Sequence, residues 1–262
     1  MVKYDRTGRF ISAFALPDFL FARPGALVDL TSVSIFQDRV YVPSSWRDKA
    51  NRARGSILIY TEDGRYERSI DTSSLFVPLR VIVLPTGELF VLGYGPRAHG
   101  YPGSDMILKL SPTGKVLTSF SPFPVDMTEK FLRRTYYNHL LLDNARRLIH
   151  VLPDATMRVF DLNGRLLKTM SPVLQVGDYL NGVFIRDGLF VFAITDLPNQ
   201  RTYLAVVSAE GEAISTTDSS RNPLIRVEGR DGNYYTIGPT GRRALSDPPG
   251  LRISKLRLEL SK

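Results

Sequence analysis

Lys3–Phe14 reads KYDRTGRFISAF, and a close relative of that phrase returns four times: YTEDGRYERSI at Tyr60–Ile70, LSPTGKVLTSF at Leu110–Phe120, FDLNGRLLKTM at Phe160–Met170 and VSAEGEAISTT at Val207–Thr217. Its glycines, Gly8, Gly64, Gly114, Gly164 and Gly211, are separated by 56, 50, 50 and 47 residues, the period range of repeat architectures. A short apolar run precedes each later glycine (ILIY, ILKL, MRVF, LAVV) and a second run follows it. Two such runs around a short turn with glycine predict a β-hairpin, the glycine supplying a positive φ that other residues reach only at a cost.

A second hairpin is expected midway between these, with turns at Gln37-Asp38, Thr86-Gly87, Asn144-Ala145, Asp187-Gly188 and Asp231-Gly232. Each unit of about 50 residues then holds four strands, A to D. Near-continuous apolar character in A and B indicates strands covered on both faces, and the more polar D strand suits an outer edge. Four-stranded units at this spacing describe an all-β fold, a β-propeller forming one domain over residues 1–262. An immunoglobulin-like tandem fits less well, because fifty residues are too few for a sandwich of about 100.

With these residues in view the chain resembles the NHL-like, six-bladed propeller proteins. Their blades carry an apolar-x-apolar-Asp-x-x-Gly-Lys/Arg phrase between the outer strands, matched by VFDLNGRLL and KYDRTGRFI and more loosely by the other copies. The phrase is a hairpin signature shared by propellers of many functions, so the resemblance speaks to fold rather than activity. The blade count does not close on its own. The N-terminus offers strands C and D, four whole blades follow, and PLIRVEGRDGNYYTI with LRISKLRLELSK supplies the last strands. Either a five-bladed ring has a loosely paired lead-in at Met1–Asp5, or the chain is the C-terminal part of a six-bladed ring. In the second case an upstream signal peptide would export a protein that is otherwise expected in the cytoplasm.

The totals narrow the function classes. The chain has 262 residues and no cysteine, which excludes disulfides, thiolate metal sites and cysteine nucleophiles. No apolar run reaches the roughly 18 residues of a membrane helix, so no membrane insertion is expected. The formal net charge of +8 favours anionic partners only where it is clustered. Clustering is expected on the side of the B-to-C and D-to-A loops. The segments Pro43–Gly55, Gly93–Ser104, Thr195–Arg201 and Gly238–Gly250 are read as long B-to-C loops. DMTEKFLRR, with Asp126 and Glu129 in capping-box spacing, predicts a short helix over Asp126–Arg134.

Together these loops place Arg47, Arg52, Arg54, Arg97, His99, Tyr136, Tyr137, His139, Arg242 and Arg243 on one side. Arginine suits bidentate contact with carboxylate or phosphate, and aromatics supply stacking area. The expected function is a non-catalytic binding module, monomeric and without a cofactor, that takes a protein or an anionic small molecule on its long-loop face. The alternative of a solvated rim is equally simple, since Arg and Lys are surface residues in any protein and Asp48, Asp196 and Asp247 stand nearby. The mixture of Arg and Tyr is compatible with nucleic-acid contacts, but no local RNA motif accompanies it.

A second reading is a metal-assisted hydrolase or lyase of gluconolactonase type with its site in a central funnel. For it the inner strands offer Asp29, Asn138, Asn181 and Glu228 without a matching motif. The three histidines, His99, His139 and His150, show no metal-ligand spacing, and His150 is expected in the core. GYGPRAHG lies between strands rather than before a helix, which excludes a phosphate loop, and no G-x-S-x-G elbow is present.

Overall fold

The structure, a computed structural model, describes residues 2–4, 10–21, 29–30, 32–48, 50, 52–74, 76–94, 105–120, 139–143, 145–152, 154–174, 179–186, 188–196, 201–218, 225–228, 234–239 and 251–256. The expected helix over Asp126–Arg134 lies outside the described residues. The chain divides into two compact units, Met1–Tyr136 with Leu162–Arg165, and Tyr137–Asp161 with Leu166–Lys262.

The first unit begins with a hairpin, β1 (Val2–Tyr4) and β2 (Phe10–Ala13). A 3₁₀ turn at Asp18–Phe21 follows and buries Leu20 completely. The next sheet holds β3 (Asp29–Leu30), β4 (Ser34–Phe36), β5 (Arg39–Arg47), β6 (Ala53–Thr61) and β7 (Tyr66–Asp71). A four-stranded sheet comes next, β8 (Val77–Val83), β9 (Leu89–Tyr94), β10 (Asp105–Leu110) and β11 (Val116–Phe120).

The second unit contributes β12 (His139–Leu142), β13 (Leu148–Val151), β14 (Met157–Phe160) and β15 (Leu166–Met170), the last strand closing a hairpin whose turn belongs to the first unit. A further four-stranded sheet is β16 (Tyr179–Arg186), β17 (Leu189–Asp196), β18 (Arg201–Val207) and β19 (Ala213–Asp218). β20 (Ile225–Glu228), β21 (Tyr234–Pro239) and β22 (Leu251–Leu256) form a three-stranded sheet. Within each sheet the pairings are antiparallel and join strands consecutive in the chain, apart from β3 and β4, which both pair with β5; this is the A-to-D meander read from the repeat.

Burial follows strand order as expected. β9 and β13 are buried almost throughout, whereas the outer strands β7, β15 and β19 are mostly exposed. In the first unit one core gathers Ile57, Ile59, Phe76, Val81, Leu89 and Leu108 from two neighbouring sheets. The second unit has its own core around Ile149, Met157, Phe190 and Phe192.

The repeated phrase has a common local geometry. The second residue of these later copies and the residue four later close the loop through the backbone, as in Thr61 N–H to Arg65 O at 2.9 Å and Ser111 N–H to Lys115 O at 2.8 Å. A hydroxyl at that second position accepts the returning N–H: Thr61 Oγ1 from Arg65, Ser111 Oγ from Lys115 and Ser208 Oγ from Glu212, all near 3.1 Å. Gly64, Gly114, Gly164 and Gly211 sit at φ between 86° and 95°. A register shift follows at the same place in each hairpin, between Ile59/Tyr60, Lys109/Leu110, Val159/Phe160 and Val206/Val207. This is the bulged hairpin that a turn ending in a left-handed glycine produces.

The glycine also receives a neighbour. A Cβ on Gly114 would stand 2.5 Å from Ile70 Cγ2, one on Gly164 2.5 Å from Phe120 Cδ1, and one on Gly211 2.9 Å from Met170 Cβ. Ile70, Phe120 and Met170 are the closing apolar residues of the preceding copies of the phrase. Two positions earlier, Arg68 Nη2 donates to Pro112 O at 2.8 Å and Lys168 Nζ donates to Ala209 O at 3.2 Å. Three copies thus seat their last side chain in the glycine turn of the next.

The turn expected at Asn144-Ala145 is closed by Arg146 N–H to Asp143 O at 2.9 Å and by Asp143 N–H to Arg147 O at 3.0 Å, with Arg146 rather than glycine in the left-handed position at φ 57°. The Asp143 carboxylate makes this possible by accepting the Arg147 N–H and, at 2.7 Å, its Nε–H. Arg146 is exposed, so Arg146→Gly relieves a left-handed backbone at little other cost. We expect it to raise the unfolding free energy by roughly 0.5–1 kcal/mol, read as a higher urea midpoint; an unchanged midpoint would show that no strain is held there.

The loop expected over Pro43–Gly55 is shorter than the sequence suggests. β5 runs on to Arg47 and β6 begins at Ala53. The reason is chemical self-sufficiency: the buried hydroxyls of Ser44 and Ser56 lie 3.0 Å apart, and Ser44 Oγ donates to Ser56 O. Paired in this way, polar residues that look like loop can continue a buried ladder.

Candidate functional site

At the far end of β5 and β6 the shortened loop is organised by Asp48. Its Oδ1 accepts the backbone N–H groups of Ala50 and Arg52, each at 2.9 Å. Its Oδ2 accepts Arg52 Nε at 2.9 Å and Arg54 Nη2 at 2.8 Å. The Arg52 backbone N–H, followed by the two guanidinium groups, holds the Asp48 carboxyl well below the usual carboxylate range, against the opposing effect of burial. Asp48…Arg52 and Asp143…Arg147 are therefore the same device, an Asp-x-x-x-Arg loop closed by backbone and side chain together.

Of the residues expected on the long-loop side, Arg47, Arg52 and Arg54 come together here. Arg47 ends β5 in an exposed position, Arg52 is also exposed, and Arg54 is half-buried. Two guanidinium groups share one carboxylate, so the Asp48 clasp keeps a positive balance. The predicted neutraliser Asp48 is thus real, and it orders the arginines while partly cancelling them. Arg97, His99, Tyr136, Tyr137, Arg242 and Arg243, with Asp247, lie outside the described residues.

In the second unit Asp196 and Arg201 face each other across β17 and β18, and Arg201 Nη1 reaches Asp218 Oδ2 at 3.7 Å. His139 opens β12, half-buried. His150 is completely buried on β13, with Leu140 and Arg158 as its cross-strand neighbours. Burial first, then the charges of Arg158 and His139, push its imidazole down to about 3. The expected core placement of His150 is what the structure shows.

For the metal-assisted alternative, Asp29 lies on β3, Asn181 on β16 and Glu228 on β20, while Asn138 is outside the described residues. Among the described residues no group of three or more His, Asp or Glu side chains stands in position to hold a metal ion. No helix among them is long and apolar enough to cross a membrane.

The opposite end of the first unit carries a feature that sequence reasoning passed over. Four hairpin turns, at Phe36–Asp38, Glu62–Arg65, Thr86–Gly87 and Pro112–Gly114, surround an open groove of about 730 Å³. Tyr41, Tyr66, Arg39, Arg65, Glu67 and Arg68 line it. Arg39 Nε donates to Glu67 Oε2 at 2.7 Å, a contact that favours the charged guanidinium. A smaller recess of about 450 Å³ adjoins it, lined by Asp38, Glu62 and Asp63 and sharing Gln37, Arg39 and Glu67 with the groove. The only advance signal was the density of charge in the turns themselves, as in TEDGRYER.

No protein-family model matches the chain, and no curated protein matches it in sequence. Solved structures do. A protein of unknown function from Bacteroides caccae is similar at TM-score 0.57 and 16% identity, over 95% of this chain and 82% of that one. An exo-β-1,3-galactanase from Clostridium thermocellum is similar at TM-score 0.53 and 15% identity, over 86% of this chain and 58% of that one. A family GH43 β-1,3-galactosidase gives TM-score 0.52 and 13% identity, over 97% of this chain and 58% of that one. At such identities the likeness speaks to architecture, and with the sequential four-stranded sheets it establishes a β-propeller fold.

Proposed function

We propose that the protein is a non-catalytic binding module of NHL-like type whose long-loop face takes an acidic protein segment or a small anion. The observation that supports this reading is the Asp48 clasp, which orders Arg52 and Arg54 on one carboxylate with Arg47 exposed at the same strand end. Ordered guanidinium groups lose less freedom when they engage a carboxylate, so they favour association more than free surface lysines do. The same proposal takes in Arg97, His99 and Tyr136, and also Tyr137, His139, Arg242 and Arg243 of the second unit.

The test is fluorescence anisotropy with a labelled oligoglutamate peptide, at ionic strengths of about 0.01 M and about 0.1 M. Binding is expected to weaken as screening rises, and to fall by about tenfold in an Arg47→Ala/Arg52→Ala/Arg54→Ala variant. Affinity indifferent both to salt and to the triple substitution would defeat the reading.

A further inference from the structure

The groove at the turn end is a second site, separate from the long-loop face. The nine residues of β5 set the two ends roughly 26 Å apart at strand rise, more than two Debye lengths at physiological salt. Charges at one end therefore have little bearing on binding at the other. We infer that this groove binds a compact, singly charged organic anion, a planar carboxylate, with its charge at Arg68 and its ring against Tyr66.

Three features carry this. Size is the first: about 730 Å³ lies inside the range of small-molecule sites. The second is the state of the arginines. Arg39 already serves Glu67 at 2.7 Å. Arg68 is tethered differently, through a bond from Nη2 to the Pro112 carbonyl at 2.8 Å. A neutral carbonyl fixes the guanidinium without cancelling its charge, leaving a positioned cation that suits a carboxylate. Tyr66 stands two residues before it, 37% exposed, with its ring held edge-on to the buried Tyr60 at 5.7 Å. A fixed, half-open aromatic face beside a fixed cation suits a flat ring bearing a carboxylate.

The third feature is the acidic recess next door. Asp38, Glu62 and Asp63 line it, and Asp63 is held ionised first by its hydrogen bond from Thr61 and then in part by Arg65. A phosphate dianion or a nucleic-acid strand entering the groove would meet this negative wall, whereas a short monoanion stops before it. The recess thus narrows the ligand class by repulsion, as the groove defines it by attraction.

The probe is 2-naphthoate, titrated into the full chain and followed by ligand-observed NMR. Its methyl ester, 2-naphthyl phosphate and a single-stranded oligonucleotide serve as comparisons. Saturable binding of 2-naphthoate is expected, with the ester, the phosphate and the oligonucleotide all weaker. Arg68→Gln keeps a donor for the Pro112 carbonyl while removing the charge, and Gln37→Glu adds a negative charge on an exposed turn; each should weaken 2-naphthoate by about tenfold. The Arg47→Ala/Arg52→Ala/Arg54→Ala variant should bind it as the parent does, which separates this site from the long-loop face. Equal binding of the ester, tighter binding of the phosphate or the oligonucleotide, or indifference to both Arg68→Gln and Gln37→Glu would each overturn the inference.

Discussion

Gly93→Ala is expected to lower the stability of the first unit by about 3 kcal/mol, at the upper end of what a single overpacked methyl costs. Gly93 is buried in β9, between Pro78 on β8 and Met106 on β10. A Cβ there would fall inside van der Waals contact with the Phe76 ring and with the Val77 carbonyl. The ring cannot retreat, because Phe76 is 1% exposed and belongs to the core shared by two sheets. Nor can the carbonyl move without displacing β8.

Gly55 meets the same segment from the other side, its hypothetical Cβ lying 2.5 Å from Pro78 Cδ and 2.9 Å from Phe76 O. The passage from β7 to β8 is thus threaded between two glycines. The lower backbone entropy of alanine in the unfolded chain returns only about 0.5–1 kcal/mol. Trp46, the one tryptophan of the chain, packs against a first-unit core and reports the transition in urea. A midpoint equal to that of the parent would mean the two sheets can separate freely at this point.

The second large effect is acid sensitivity centred on His150. In the fold the imidazole stays neutral down to about 3, whereas in the unfolded chain it takes up a proton near 6.5. Above pH 6.5 both states are neutral and the stabilisation is complete. Between pH 6.5 and 3 only the unfolded state binds the proton, so stability falls as pH falls, by about 1.4 kcal/mol for each pH unit. The charges of Arg158 and His139, which face this histidine, act in the same direction as burial. Urea midpoints by circular dichroism at several pH values should show a slope that His150→Leu reduces across this window. Identical slopes in parent and variant would place the acid response elsewhere, among the carboxylates.

Much of the fold was legible because the repeat writes its geometry locally. The position of Gly64, Gly114, Gly164 and Gly211 follows from a φ near 90° that the loop closure demands, and the spacing then divides the chain into meanders. Strand ends were harder to read. PSSWR looks like loop until Ser44 and Ser56 are seen to satisfy each other, a fact about two residues twelve apart that no window of propensity contains. The left-handed residue Arg146 was missed for a similar reason, since the Asp143 carboxylate stabilises the loop that glycine would ordinarily mark.

The candidate sites divide along the same line. Loop connectivity put Arg47, Arg52 and Arg54 on one segment, and the four-residue interval from Asp48 to Arg52 held the clue to their pairing. The groove was invisible because its walls come from four turns in two sheets, between Phe36 and Pro112. Each turn taken alone reads as scaffold. Only the juxtaposition makes a cavity, and juxtaposition is a tertiary fact.

The seating of Ile70 on Gly114, Phe120 on Gly164 and Met170 on Gly211 has an evolutionary reading. Three plugs meet three sockets along the chain, and the parts are interchangeable because a socket without a side chain accepts isoleucine, phenylalanine or methionine alike. Duplicating Asp71–Phe120 in tandem would place a phenylalanine plug against the inserted copy's Gly114, a match the chain already makes at Gly164. Growth of such a protein by whole-blade duplication needs no new interface to be invented, whereas a loss or gain of one residue between socket and plug would misalign both ends at once.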